Sequence, residues 1–208
     1  RDVAFLSPSG LIIRRPMTAV DAVEGQVGLF EIVIDRLIVP GKPGAPIKVR
    51  ATDQTGFVHL IWFGGSAQHI DRLLPKGQKR WVSGKVERFN NEVQIVHPDV
   101  FTPDQAADIP AVEPVYPATQ GLTSRVVRKL AKAAVAHAPE LPEWQDAAWR
   151  AKMRWPTWHE ALTTLHAPTS EADLLPEAPA RQRLAYDELL AHQLALARRR
   201  RARKITPA

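Results

Sequence analysis

Ile47-Lys48-Val49-Arg50-Ala51-Thr52-Asp53-Gln54-Thr55-Gly56-Phe57-Val58-His59-Leu60-Ile61-Trp62-Phe63 is the stretch that decides the fold. As far as Thr52, apolar and polar residues alternate, the period of a strand with one face on a core. Asp53-Gln54-Thr55-Gly56 has turn composition, and a second strand follows from Phe57 to Phe63. Upstream, Val27 to Val39 is a run rich in Val and Ile, ended by Pro40-Gly41-Lys42-Pro43-Gly44. Downstream, Ser66 to Leu74 has a helical pattern, with Ser66 as N-cap and Pro75 as the stop. Gln78 to Arg88 reads as a strand, Asn90-Asn91 as a tight hairpin turn, and Glu92 to Val96 as the returning strand. Three strands, a short helix and a two-strand hairpin are the order of a five-stranded Greek-key barrel of the OB type. Gly10 to Arg15 adds a strand outside it.

Beyond residue 101 the character changes. Residues 102–114, rich in Pro, Ala and Asp, read as a linker, and helical patterns follow. Thr123 caps a helix to about Ala138, Trp144 to Trp155 and Thr157 to Leu165 are shorter helices, and a last one runs from about Ala180 to Arg201. Its apolar positions Tyr186, Leu189, Leu190 and Leu196 share a wide face, which predicts packing on more than one neighbour. The expected organisation is an N-terminal extension over 1–23, a barrel over 24–101, the linker, a helical segment over 115–178 and a long connecting helix with a basic tail over 179–208. The fold class is mixed β and α.

The net charge of +6 is concentrated. Arg198, Arg199, Arg200, Arg201, Arg203 and Lys204 carry six positive charges; without them, basic and acidic residues balance at 22 each. Between Ile47 and His97, eight basic residues (Lys48, Arg50, Arg72, Lys76, Lys79, Arg80, Lys85, Arg88) stand against four acidic ones. Positive charge of this kind attracts phosphate backbones and also acidic protein partners. There is no cysteine, so disulfides, thiolate metal sites and Cys nucleophiles are excluded, in keeping with a reducing interior. No apolar run is long enough for a membrane helix, and no signal peptide is visible. There is no phosphate-binding Gly-rich loop followed by Lys-Ser or Lys-Thr, no Ser elbow, no paired-carboxylate cleft and no kinase signature. The seven histidines do not fall at metal-ligand spacing. No catalytic residue, metal ligand or cofactor site is therefore expected in this chain.

What remains is recognition. In Phe57 to Phe63 one alternate set faces the core and the other presents aromatic and apolar groups outward. Trp62 and Phe63 are the stacking candidates, with the structural alternatives that Trp62 belongs to the core and Phe63 plugs a barrel end. Lys48 and Arg50 lie on the neighbouring strand; Lys85 and Arg88 extend the basic set. Phe89, at the hairpin tip, is either a further exposed stacking ring or a staple holding the hairpin down. The Arg198 to Lys204 run either grips phosphates or is a solvated helix end.

Several passages resemble the wedge domain of the RecG family, bacterial ATP-dependent helicases that remodel stalled replication forks. Val82-Ser83-Gly84-Lys85-Val86-Glu87-Arg88 followed by Gln94-Ile95-Val96-His97-Pro98 is similar to the family's strand pair ending in His-Pro. Pro114-Val115-Tyr116-Pro117 with Gly121-Leu122, Leu165-His166-Ala167-Pro168, and Arg183 through Leu196 resemble three further family passages in the right order. The resemblance runs from about Glu24 to Arg200. It implies a module binding branched DNA (a replication fork or Holliday junction, with single strand at the branch point), inside a helicase of repair and recombination. Trp62 and Phe63 stand where the family usually has Phe-Phe, the rings that stack where base pairing ends. Gly64-Gly65 departs from the family pattern, in which Asn often comes next. The resemblance also implies missing helicase domains, which would use ATP and magnesium, and a cytoplasmic, nucleoid-associated parent. The start at Arg1 without Met fits the expectation of an excised wedge with its connector. A general single-strand-binding OB protein and a protein–protein interaction module are the competing readings.

Overall fold

The computed structural model describes residues 2–42, 44–118 and 121–205. Pro43, within the Pro/Gly turn, lies outside the described residues, as does the side chain of Lys204 in the basic run. The chain is a mixed α/β protein with a large sheet and C-terminal helices, and it divides into two compact units. One is Ile13–Ala111; the other joins Arg1–Ile12 to Val112–Ala208.

The first unit is built on strands β1 (Gly10–Pro16), β2 (Val27–Ile38), β3 (Ile47–Thr52), β4 (Phe57–Trp62), β5 (Lys79–Phe89), β6 (Glu92–Val96) and β7 (Asp99–Phe101). Helix α1 (Ala67–Leu73) lies between β4 and β5. β2 pairs antiparallel with β3, β3 with β4 and β6 with β5, and β4 pairs parallel with β6. β5 returns to β2 over Val27–Val33, so five strands close a ring, β2-β3-β4-β6-β5. Their alternate residues fill it: Phe30, Ile32, Val49, Ala51, Val58, Leu60, Val82, Val86, Val93 and Ile95 are buried in one cluster. The two ends are stoppered from within the same unit. At one, Ile70 of α1 and Leu74 just after the helix insert; at the other, the loop between β1 and β2 contributes Ala19 and Ala22.

Local chemistry sets these elements. Asn90 and Asn91 both take positive φ (50° and 66°), the conformation of the two-residue hairpin turn that Asn tolerates well. Asp53 closes the β3–β4 turn: its carboxylate accepts from the Thr55 and Gly56 N–H groups, and Gln54 takes a φ of 74°. Ser66 precedes α1 without a side-chain capping bond, and the helix ends at Leu73 before Pro75. Gly84 faces the filled interior; a Cβ there would lie 2.4 Å from the Ile95 Cγ2. β1 runs parallel to β2, with Arg14 opposite Val27. The Arg14 side chain is buried: it donates to the Ser83 hydroxyl and the Pro110 carbonyl, and it pairs with Asp99 at 3.2 Å. Arg14 thereby ties β1, β5 and the chain after β6 together. Residues 102–114 contain a 3-10 helix, Pro103–Asp108, and strand β8 (Val112–Val115), where the sequence predicts a linker. The pattern there is too short for periodicity to register.

In the second unit the N-terminal stretch runs beside β8, with Ser9 N–H donating to the Val115 carbonyl. Helices α2 (Ser124–Ala136), α3 (Ala147–Met153), α4 (Trp158–His166) and α5 (Pro179–Ile205) follow. Thr123, Asp146 and Thr157 cap the first three, each accepting from a backbone N–H. The sequence predicts a helix from Trp144 to Trp155, but α3 starts only after the Asp146 cap and stops at Arg154, whose φ is 55°. On α5 the buried positions are Ala180 and Arg183, whereas Leu189 is 61% exposed and Leu194 is also exposed. The first half of α5 meets several neighbours, as the wide face predicts, with Tyr186 against the rings of Trp144 (6.0 Å) and Trp155 (5.0 Å), while Leu189 further along is open. Arg183 is the centre of an ion cluster, pairing with Asp187 and with Glu143, which also meets Arg150 at 3.1 Å. His166 is a second knot: Tyr116 Oη lies 2.7 Å from its Nδ1 and the Ala4 carbonyl 2.8 Å from its Nε2. Nε2–H donating to Ala4 and Nδ1 accepting from Tyr116 is the neutral tautomer that satisfies both contacts. Burial pushes the Tyr116 phenol up to about 12 and holds His166 below its ordinary value of 6.5.

Two outcomes follow from this packing. Gly84→Ala overfills the ring against Ile95 and lowers stability by about 1–3 kcal/mol, read from the urea midpoint. Because His166 stays neutral in the fold, the unfolded chain takes up its proton first as pH falls below 6.5. Stability is therefore full above that pH and declines below it, and His166→Gln flattens the part of the urea-midpoint profile due to this residue.

Candidate nucleic-acid interface

The strand directions sort the candidate residues between the two ends of the ring. β4 and β6 run parallel, with Val58 opposite Val93 and Ile61 opposite Val96. The end where both strands finish also holds the start of β3, since Ile47 pairs with Trp62 and Lys48 with Ile61. At the other end β4 and β6 begin, and the β5–β6 hairpin turns with Phe89 opposite Glu92.

Trp62 continues the inward set of Val58 and Leu60, and it packs half-buried against the core at its rim. Phe63 belongs to the outward set and is 59% exposed. Its ring meets that of His97, with centroids 6.2 Å apart and planes tilted by 51°. Gly64 and Gly65, with φ of 78° and 97°, turn the chain away immediately after Phe63. Ile38 and Val39, at the finish of β2, are also exposed. Lys48 is half-buried beside Ile61 on the outer face, close to this end. Lys85 is exposed on β5, next to the Val86 that pairs with Ile95.

The remaining candidates are elsewhere. Phe89 is 60% exposed at the hairpin, at the opposite end from Phe63. Arg88 is exposed too, and its Nη2 donates to the Ala22 carbonyl at 2.9 Å, which ties the hairpin to the loop that stoppers that end. Arg50 lies mid-face, opposite His59. Its guanidinium is engaged by Asp35 at 2.5 Å and sits 4.6 Å from the centroid of the Phe57 ring. Phe57, 47% exposed, thus forms a second aromatic position on the outer face that sequence reasoning did not single out. His59 Nε2 lies 3.1 Å from the Glu92 carboxylate. Burial is the main cause that holds the His59 imidazole below its ordinary value, against the pull of Glu92. Carboxylates at 35, 87 and 92 accompany the bases on this face, so the positive charge there is local and not a continuous field.

The structure therefore brings Trp62 and Phe63 together with Lys48 near, and separates them from Phe89 and Arg88 by the length of β4, about 20 Å at 3.3 Å per residue. His97 was legible only as part of a His-Pro passage; its place beside Phe63 depends on the parallel β4–β6 pairing, which no local pattern announces. Arg198 to Arg201 and Arg203 are exposed on α5. Among the described residues, no group of three His, Asp or Glu side chains is placed to hold a metal ion, and no helix is long and apolar enough to cross a membrane.

No family model matches the chain. Its curated relatives include the ATP-dependent DNA helicase RecG of Acidithiobacillus ferridurans, 31% identical over 132 residues, 61% of this chain and 18% of that protein. RecG of Pasteurella multocida is 31% identical over 166 residues, 72% of this chain and 22% of that protein. The chain thus spans about a fifth of the length of these relatives. Among solved structures, RecG bound to a three-way DNA junction superposes with a TM-score of 0.67 at 21% identity, covering 98% of this chain and 28% of that one. At that identity the likeness speaks for the fold.

Proposed function

Taking as premise a chain related in sequence and fold to a segment of the RecG helicases, we propose that its five-strand ring is an OB-type wedge that binds branched DNA. The chain then serves as the recognition module of a fork-remodelling helicase. Its ligand is a fork or Holliday junction, with unpaired bases at the branch point. The observation that carries this reading is the exposed Phe63 beside half-buried Trp62 at one end of a closed, internally filled ring. A ring filled with side chains has no lumen for a ligand, so recognition falls to its rim and outer face. An exposed ring at the rim, next in the chain to a Trp packed on the core, can take the base exposed where a duplex opens; such stacking is worth about 1–3 kcal/mol per base. Lys48 and Lys85 at the same end supply phosphate attraction.

In this reading the chain performs recognition and no turnover. ATP hydrolysis with magnesium belongs to the motor of the longer protein, whose helicase domains are the intramolecular partners of α5, and that protein acts in the cytoplasm. Phe89, Arg50 and Arg88, remote from Phe63, contact the arms away from the branch.

The test is fluorescence anisotropy with a three-way fork and a linear duplex of matched length. The native chain should prefer the fork. Replacing Trp62 and Phe63 together by Ala should weaken fork binding about tenfold or more and leave duplex binding nearly unchanged; equal losses on both would sink the stacking claim. Fork affinity should also drop steeply as salt is raised, because phosphate contacts release counterions, and an affinity indifferent to salt would overturn the nucleic-acid reading.

A further inference from the structure

We propose that His97 is the second ring of the stacking platform, presented from the strand next to Phe63 and offered to the same unpaired nucleobase. The inference rests on the fork-binding reading above and adds a residue to it.

His97 owes its position to strand direction. β6 lies parallel to β4 and finishes level with it, Val96 opposite Ile61, so the residues following the two strands emerge side by side. The His97 N–H donates to the Ile61 carbonyl at 2.8 Å, which anchors its backbone to β4 one residue before Trp62. The following Pro98 is buried, so the chain on both sides of His97 is fixed. The imidazole itself is exposed, and among the described residues no hydrogen bond to the protein holds its nitrogens.

The backbone of His97 is left-handed, with φ of 47°. Gly adopts that conformation without steric cost, and Asn is as much at home there as His. A turn alone would be satisfied by either of them, so the fold does not call for a ring here. What the ring does is meet Phe63, at 6.2 Å and 51°, both side chains facing solvent. Both rings are exposed, and Gly64 and Gly65, which follow Phe63, carry no side chain that could cover them. Two tilted rings held by two fixed strands offer a flat base more contact than Phe63 alone, at little conformational cost on binding.

The experiment compares His97→Ala, His97→Asn and His97→Phe with Phe63→Ala in the full chain. Anisotropy is read on the three-way fork and the linear duplex, and urea midpoints establish that each variant is folded. Ala and Asn should each weaken fork binding about five- to tenfold with little change on the duplex, while Phe should keep it within about twofold. If Asn retains native fork affinity, the residue serves the backbone turn and the proposal falls. If Phe63→Ala loses fork affinity and His97→Ala does not, His97 is outside the platform and the proposal falls while the wedge reading stands. If neither substitution alters fork binding, both fall.

Discussion

Everything in the first unit depends on β2 forming hydrogen-bonded ladders along both edges. Its first half pairs with β5 and its second with β3, and Val33 is shared between Lys79 and Thr52. A straight strand cannot serve both partners of a closed ring. The register shifts between Ile34 and Arg36, leaving Asp35 as an extra residue, and a bulge of this kind bends and twists the strand where closure requires it. The same extra residue puts a carboxylate on Arg50, which in turn lies over Phe57. Closure of the ring and the charge pattern of its outer face are two results of one irregularity.

The interior leaves no room for a ligand, because opposed side chains meet at the axis and α1 and the β1–β2 loop fill the ends. Chemistry is thereby confined to what the strands present outward or release at their finish. The end of β4 is informative in this respect: one residue, Trp62, still obeys the inward alternation, and the next, Phe63, has left the ladder. The same strand end therefore carries a half-buried aromatic on one face and an exposed one on the other, followed by Gly64 and Gly65 at positive φ.

Much of this was legible in the sequence because it is local. Alternation over Ile47 to Phe63, the Asp53 to Gly56 turn, the Asn90-Asn91 hairpin and the Thr123 cap each depend on neighbouring residues, and each element is present in the structure. What escaped depends on partners distant in sequence. The β8 strand is short and is held by the N-terminal stretch; α3 is cut back by Asp146 and Arg154; and the side of α5 that buries is set by Arg183, a charged residue that no apolar stripe would select. The candidate site divides in the same way. Alternation named Trp62 and Phe63, whereas the separation of Phe89 from them, and the approach of His97 to them, follow from β4 and β6 running parallel.

The ion cluster on α5 has a mechanical side. At 1.5 Å per residue, the 27 residues of this helix make a rod about 40 Å long, and Arg183 grips it close to its first turn. A load on the far end of such a rod arrives at the grip as torque, with long leverage. Apolar contacts would yield to it by sliding. The bonds that leave the helix, Arg183 to Glu143 at 2.8 Å and Gln145 to Asp187 at 2.8 Å, are directional, so they hold by geometry as well as by contact area. The same Glu143 carboxylate accepts from the Trp158 N–H at the start of α4, so the anchorage of this long lever and the N-terminus of α4 share one acidic residue.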